Sequence, residues 1–215
     1  MAKTLAERDF IGKGPVRYRL DSPTRGQNKS TGITLEIDYS ELPVPNHYYV
    51  ADFFCVRNLQ SSVLLVFGKL DNLGKNNRLR TKLEVYFPSD MFVRQLWNSS
   101  RIFHEALRND VEKLGFAIPE PGSLELSTPD KVQTIQANNV LMARSGLETV
   151  LDFYTLSPKE IAFKTRKRKP VNLEPLARII FVGLPVLLGF LNECDSVASA
   201  LAVHFPVEQE QEEIS

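Results

Sequence analysis

The chain contains few of the residues from which metal sites and disulfide frameworks are built. Of its 215 residues only two are cysteines, Cys55 and Cys194, and three are histidines, with no Cys-x-x-Cys pair. We therefore expect no metal ion, no other cofactor and no disulfide framework. An excess of charge of one sign is also lacking, because 26 Lys and Arg balance 26 Asp and Glu. This balance excludes a globally basic nucleic-acid coat, so any anion-binding role must come from a local patch.

Long apolar runs and targeting signals are scarce as well. The longest run, residues 179–191, has 13 residues with Pro185 at its middle, whereas a membrane span needs about 20. It predicts a helix that is buried on nearly all sides and makes no membrane contact. The first residues, MAKTLAERDF, lack the apolar core of a signal peptide. We therefore expect a cytoplasmic protein.

Catalytic motifs are missing too. The spacing from Gly68 to Gly74-Lys75 is one residue longer than in a phosphate-binding loop, and Asn76 stands where Ser or Thr must hold magnesium. No histidine stands in a local pattern that indicates a nucleophile and its base. We predict that the chain is not an enzyme and has no catalytic residues.

The chain does contain an internal similarity, in which two segments match at a shift of 86 residues without a gap. Residues 61–70 lie over 147–156, and residues 78–87 lie over 164–173. The matching pairs are Leu65 with Leu151, Phe67 with Phe153, Leu70 with Leu156, Arg80 with Arg166 and Val85 with Val171. We interpret this similarity as a duplication.

Each copy is predicted to form three strands followed by a helix. The strands of the first copy cover 48–58, 62–70 and 78–87, and a helix begins near Ser89. The strands of the second copy cover 138–145, 147–156 and 159–173, and an apolar helix begins near Pro175 with a kink or break at Pro185. The predicted fold class is α+β: two related strand-strand-strand-helix units, with antiparallel sheet and helices packed on one face.

This pattern divides the chain into five segments. They are an N-terminal extension with one strand at 1–45, the first repeat unit at 46–115, a Pro-rich linker at 116–131, the second repeat unit at 132–204 and an acidic tail at 205–215. We expect the two repeat units to associate as a pseudo-dimer within the chain.

Alternating cations on the third strand of each copy are the feature that suggests a ligand. Residues two apart on a strand share a face, so strands 78–82 and 164–168 each present three cations. They are Arg78, Arg80 and Lys82 in the first strand, and Lys164, Arg166 and Arg168 in the second. Three interpretations remain open: the solvated face of a sheet, contact with an acidic protein, or contact with nucleic-acid phosphates.

Apolar residues of the second predicted helix suggest a contact with another chain. Because this helix is apolar all round, it needs cover on two sides, either at the centre of the domain or at an oligomer interface. The candidate interface residues are Phe181, Leu184, Leu187, Leu188 and Leu191. The aromatic residues of 48–54 also have two interpretations: core side chains, or an exposed groove for a peptide or a sister subunit.

The second copy resembles a small uncharacterised prokaryotic domain family whose members have a strand of the form F.LDF..L.P, a third strand and a Leu-rich helix that begins at proline. The residues that carry the resemblance are Leu151, Asp152, Phe153, Leu156, Pro158, Pro175 and Leu176. They cover about a quarter of the chain, and the first copy has Val66 where Asp152 stands in the second. In architecture alone, antiparallel strands followed by a long helix are similar to SecB-type export chaperones.

These features together predict a non-enzymatic protein-interaction module, an accessory or chaperone-like subunit of a larger assembly. Its expected partner is another protein or a second copy of itself in a homo-oligomer. The alternative is a nucleic-acid-binding protein that uses the two basic strands.

Overall fold

A computed structural model describes residues 11, 15–20, 33–71, 78–97, 104, 107–109, 125–127, 132–145, 148–167 and 169–202. It mixes largely antiparallel sheets with helices, and this α+β class confirms the prediction. The chain divides by its internal contacts into two units. The first unit combines Met1–Val44 with Thr155–Pro175, and the second combines Pro45–Tyr154 with Leu176–Ser215.

Among its described residues, the first unit contains a two-stranded antiparallel sheet, a short 3-10 helical turn, Tyr39–Glu41, and one α-helix. Strand β1 is Val16–Leu20 and pairs with β2, Ile33–Ile37. Helix α2 is Pro158–Arg166 and is numbered after α1, a short helix of the second unit described below. Ser157 caps α2 by accepting the backbone N–H of Glu160 at 3.4 Å, and Pro158 stands in the first turn, where its missing N–H leaves no bond unmade.

The second unit is built from two sheets. The first sheet has the order β3-β11-β10-β9, in which β3 is Tyr48–Ala51, β9 is Asn139–Ser145, β10 is Glu148–Thr155 and β11 is Glu174–Phe181. The second sheet has the order β4-β5-β6-β7, in which β4 is Phe53–Asn58, β5 is Ser62–Asp71, β6 is Arg78–Pro88 and β7 is Glu125–Ser127. Strand β8, Gln133–Gln136, also pairs with β6 in parallel.

The chain crosses between these sheets at two tight bends. Residues 48–58 were predicted as one strand, but Asp52 divides them into β3 of the first sheet and β4 of the second. The Asp52 N–H donates to the carbonyl of Gly68 at 3.2 Å, so hydrogen bonding continues through the bend. Likewise, between β8 and β9, the N–H of Ala137 donates to Tyr86 and that of Asn138 donates to Tyr154. Bent strands that serve two sheets form the corners of a closed core.

Helical segments pack on the strands of the second unit. Strand β6 continues into α1, Ser89–Met91, and a π-helical turn, Phe92–Trp97. The helix start near Ser89 agrees with the prediction. Helix α3, Leu184–Ala202, packs on β4 and on the π-helical turn. The core combines inner side chains of both sheets with one face of α3: Leu65, Phe67, Leu83, Val85, Leu151, Phe153, Ile179, Leu187 and Leu191 among them.

The second copy departs from the predicted order of elements. Residues 159–173 were predicted as a strand, but 158–166 form α2, because the Ser157 cap and the Glu160–Lys164 ion pair one turn apart favour a helix. The helix predicted from Pro175 is instead strand β11, whose alternating burial fits its place between β3 and β10. Gly183, with φ of 87°, ends that strand. Pro185 therefore lies in the first turn of α3 and does not kink it.

The predicted shift of 86 residues fits the starts of the second strand in each copy but not those of the third. Strands β5 and β10 begin at residues 62 and 148, which are 86 apart, whereas β6 and β11 begin at 78 and 174, which are 96 apart. Helix α2 accounts for the difference, because it stands between the second and third strands of the second copy. The order of three strands followed by a helix nevertheless recurs.

Some predicted segments lie wholly or partly outside the described residues. The helix predicted over 89–114 is described only at 89–97, 104 and 107–109, and all of these residues are helical. In the predicted linker, residues 125–127 form β7, which pairs in parallel with β6. The acidic tail at 205–215 lies outside the described residues.

The close approach of α3 to β4 at Gly189 yields a stability prediction. A Cβ atom at this position would lie 2.9 Å from Cζ of Phe54. We expect Gly189→Val to lower the free energy of unfolding by about 1–3 kcal/mol through overpacking. In a Phe54→Leu background the same change should cost clearly less, because the obstructing ring is gone. Denaturant unfolding of the four proteins gives the coupling energy, and additive effects would contradict the contact.

Candidate functional site

The first predicted group of cations lies on a strand, as expected. Exposure alternates along β6, with Arg80 and Lys82 exposed and Thr81 and Leu83 buried. Sequence analysis did not include Lys69, which is exposed on β5 and lies opposite Arg80. A bulge at Phe67/Gly68 leaves Lys82 without a facing residue in β5. Arg78 begins β6 in the predicted place.

The second predicted group does not lie on a strand, so the prediction of two matching basic strands is wrong. Lys164 is on α2, where its ammonium group pairs with the carboxylate of Glu160. Arg166 is the last residue of α2, and Arg168 lies outside the described residues. A helix places neighbours at three and four residues, so positions 164 and 166 do not share a face as they would on a strand.

The predicted apolar interface is also corrected, because its residues belong to the core of the second unit. Exposure is 3% or less for each of the five: Phe181, Leu184, Leu187, Leu188 and Leu191. Phe181 contacts Phe67 and Phe190 at ring-centroid distances of 6.1 and 5.2 Å. The cover that this apolar run required is supplied by the two sheets of its own chain.

A different apolar surface lies on β3 and the end of β11. Tyr48 is 58% exposed, Val50 is 39% exposed and Val182 is 52% exposed. In the parallel register Tyr48 faces Arg178 and Val50 faces Ile180. Val182 extends this ladder by donating its N–H to the carbonyl of Ala51 at 3.1 Å. We call Tyr48, Val50, Ile180 and Val182 the β3–β11 patch.

Beside this patch, the guanidinium group of Arg178 is held by a buried carboxylate. Asp152 on β10 is 2% exposed, and its two oxygens accept from Nε and Nη2 of Arg178, both at 2.6 Å. This hydrogen bonding raises the pKa of Arg178 further. Tyr154, 1% exposed, lies on the same face, and burial together with the Asp152 charge raises the pKa of its phenol to about 12. Because the charges compensate each other, this cluster orders the sheet and leaves no net charge beneath the patch.

A second polar cluster fixes the helical segment after β6 to α3. The Asp195 carboxylate accepts from Nε1 of Trp97 at 3.0 Å and lies 2.6 Å from Nδ1 of His104. The other ring nitrogen of His104, Nε2, is buried and has no hydrogen-bond partner among the described residues. The Asp195 carboxylate on α3 thus contacts both Trp97 and His104, which is a structural role.

Helix α3 also covers the free edge of β4. Glu193 accepts the backbone N–H of Val56 at 2.9 Å, and burial raises the pKa of this carboxyl group although the hydrogen bond opposes the shift. The neighbouring thiol of Cys194 is fully buried, and burial raises its pKa well above the ordinary value. A buried thiol of raised pKa is a poor nucleophile.

Two further properties of the described residues bear on function. No group of three His, Cys, Asp or Glu side chains is placed to hold a metal ion. Helix α3 is long and apolar enough over Leu184–Leu201 to cross a membrane by length and composition alone, and 44% of that stretch is buried within the chain. The core helix of a soluble protein meets the same criterion.

No protein-family model matches this chain, and neither the curated proteins nor the solved structures contain a match.

Tyr48 of the patch falls within the exposed-groove interpretation of residues 48–54, but Ile180 and Val182 were not predicted because the end of β11 was assigned to a helix. With a strand over 174–181, the alternation alone puts Ile180 and Val182 on one side and Ile179 and Phe181 on the other. The β-branched pair Ile179-Ile180, followed by Gly183, was the available signal for a strand that ends in a turn.

The buried ion pair predicts a large loss of stability when one partner is removed. We expect Asp152→Asn to lower the free energy of unfolding by about 3–5 kcal/mol, because it leaves the Arg178 charge half-buried and without its partner. The matched control is Glu36→Gln, which breaks an ion pair with Arg17 whose side chains are 42% and 46% exposed. That change should cost at most about 1 kcal/mol. Equal effects in denaturant unfolding would refute the distinction.

The raised pKa of Tyr154 predicts a loss of stability in alkali. A phenol with a pKa of 10.0 when unfolded and about 12 when folded contributes stability that is present below pH 10 and is lost as the pH rises from 10 to 12. We expect the difference in unfolding free energy between the wild type and Tyr154→Phe to shift towards the variant from about pH 9 to about pH 11.5. Parallel pH curves would contradict this.

Proposed function

We propose that the chain is a non-enzymatic protein-interaction module that binds a protein partner through the β3–β11 patch. The observation that carries the proposal is the grouping of exposed apolar side chains. Six large apolar residues are exposed in the described part of the chain, and three of them belong to this patch: Tyr48, Val50 and Val182. Scattered exposed apolar residues are ordinary, whereas a contiguous group is typical of an interaction surface.

The position of the patch on the sheet supports the same proposal. Within its sheet, β3 is an edge strand that pairs on one side with β11. The N–H of Arg178 donates to His47 and that of Val182 donates to Ala51, so the odd-numbered residues of β3 direct their backbone groups towards β11. Successive residues of a strand direct their N–H and C=O groups to opposite sides, so the backbone groups of Tyr48 and Val50 are directed away from β11.

The chemistry of the patch indicates the kind of partner surface. Its side chains are aliphatic apart from one tyrosine, and the nearest cation, Arg178, is already paired with Asp152. A partner therefore gains by burying apolar side chains here and gains little from an opposite charge. The single aromatic ring of Tyr48 fits the enrichment of tyrosine at interfaces. An accessory or chaperone-like subunit of a larger assembly would use such a surface, towards another protein or a second copy of the chain.

The test places a charge in the patch and at a matched position elsewhere. Val50→Lys and Val182→Lys should abolish binding, because burying an unpaired ammonium group in an apolar interface costs several kcal/mol, or at least about 100-fold in affinity. Leu59→Lys is the control, since Leu59 is 42% exposed, close to the 39% of Val50, and lies outside the patch. All three sites are exposed, so folding should be preserved, which thermal unfolding checks.

Two measurements compare binding by these variants and the wild type. Light scattering after size exclusion, over a range of concentrations, reports self-association. Quantitative mass spectrometry after cross-linking in cells reports other partners. Species lost with both patch variants but retained with Leu59→Lys support the proposal. It is overturned if Leu59→Lys behaves like the patch variants, or if neither patch variant loses anything that the wild type binds.

A further inference from the structure

An aromatic side chain stands between two lysines on the exposed face of α2. Lys159, Phe163 and Lys167 are four residues apart, so they form one stripe along the helix with steps of about 6 Å. All three are exposed, and Phe163 is 56% exposed although it is a large apolar residue. Ile161 and Thr165, on the opposite face, are half-buried and buried. The helix therefore buries its other side and presents the aromatic ring to solvent.

The charges around this stripe are strongly biased. Residues 159–169 contain six basic residues and one acidic residue, a formal charge of +5 in a chain whose total is zero. The acidic residue, Glu160, forms an ion pair with Lys164. The chain then folds back at the end of α2, where the N–H groups of Lys167 and Lys169 both donate to the carbonyl of Lys164, at 3.1 and 2.9 Å. This turn adds one more exposed lysine, Lys169, next to the stripe.

Helix stability alone accounts for part of this pattern. Cations near the C-terminal end of a helix interact favourably with its dipole, and Lys167 places its Nζ 4.2 Å from the centroid of the Phe163 ring. The contact with Lys167 uses the Phe163 ring, but a cation over an aromatic ring contributes only about 0.5–1 kcal/mol at an exposed site, so it does not by itself account for a large apolar side chain in solvent. The exposed ring is the feature that a ligand explains.

We propose that the Lys159–Phe163–Lys167 face of α2 binds single-stranded nucleic acid, with a base stacked on the Phe163 ring and phosphates held by the flanking lysines. Aromatic rings set among cations are the general means by which proteins hold unpaired strands without reading their sequence. Of the two basic strands predicted from the sequence, the second is replaced by this helical site in the first unit. This site is separate from the β3–β11 patch, and its failure would leave the proposed protein-interaction function untouched.

The same features fit a membrane surface less well. A helix that lies in a bilayer interface needs a broad apolar face, whereas α2 exposes only Ala162 and Phe163 as apolar residues. A nine-residue helix with one exposed ring has little apolar area to insert. Nucleic acid needs only the single ring and the cations.

Fluorescence anisotropy with labelled 20-mers of thymidine and uridine at low salt tests the proposal on the full chain. We expect Phe163→Ala to weaken binding about tenfold, while Phe163→Trp retains it, because tryptophan also stacks. Lys159→Gln and Lys167→Gln should each reduce the slope of log affinity against log salt by about 0.7. These sites are exposed, so circular dichroism should be unchanged.

Controls separate this face from general electrostatics. Lys82→Gln removes an exposed lysine of β6 and should leave binding within about twofold, which corresponds to about 0.4 kcal/mol. The inference is overturned if no oligonucleotide binds at low salt, if Phe163→Ala has no effect, or if Lys82→Gln weakens binding as much as Lys167→Gln. It is also overturned in favour of a membrane if vesicles containing phosphatidylserine, but not the 20-mers, bind in a Phe163-dependent way.

Discussion

The ring of Phe67, on the second sheet, contacts both the first sheet and helix α3 of the second unit. From the middle of β5 it contacts Phe153 on β10, Phe181 on β11 and Phe190 on α3, with centroid distances between 5.7 and 6.1 Å. Strand β5 thus meets, at one side chain, three elements that follow it in the sequence by more than 75 residues. Aromatic contacts of this kind add directional preference to apolar burial, so they determine how the two sheets and the helix face each other. The exposed patch and the edge strands are positioned by this arrangement.

The edge strands β4 and β3 of the second unit differ in how they are covered. The edge of β4 is covered by α3, and Glu193 accepts the N–H of Val56 that would otherwise be free to pair with another strand. The edge at β3 carries exposed apolar side chains, and no helix covers it in the part of the chain that the structure describes. Natural sheets usually protect their edges with charges, bulges or cover. The contrast between two halves of one continuous segment, 48–58, supports a function for the uncovered half.

Local sequence patterns predicted some elements and misassigned others for identifiable reasons. The strands near 62–71, 78–88 and 148–155 were predicted because alternation and β-branched residues extend over many positions. The segment 158–166 was misassigned because the alignment with β6 was given more weight than the Ser157-Pro158 helix start. Because this segment was assigned to the third strand, β11 was assigned to the following helix. Core residues of α3 such as Leu187 were then predicted to form an interface. Neither the bend at Asp52 nor the Asp152–Arg178 pair was predictable locally, since both depend on which strands become neighbours.

The bend at Asp52 has a consequence for how the chain tolerates change in length. A single residue separates β3 from β4, and its own N–H is bonded to Gly68, so no loop is present there to absorb an insertion. Adding or deleting one residue there would turn the side chains of one half-strand to the opposite face. Either Ala51 would leave the core or Phe54 would leave α3. This segment should therefore accept substitutions of its exposed side chains while its length remains invariant.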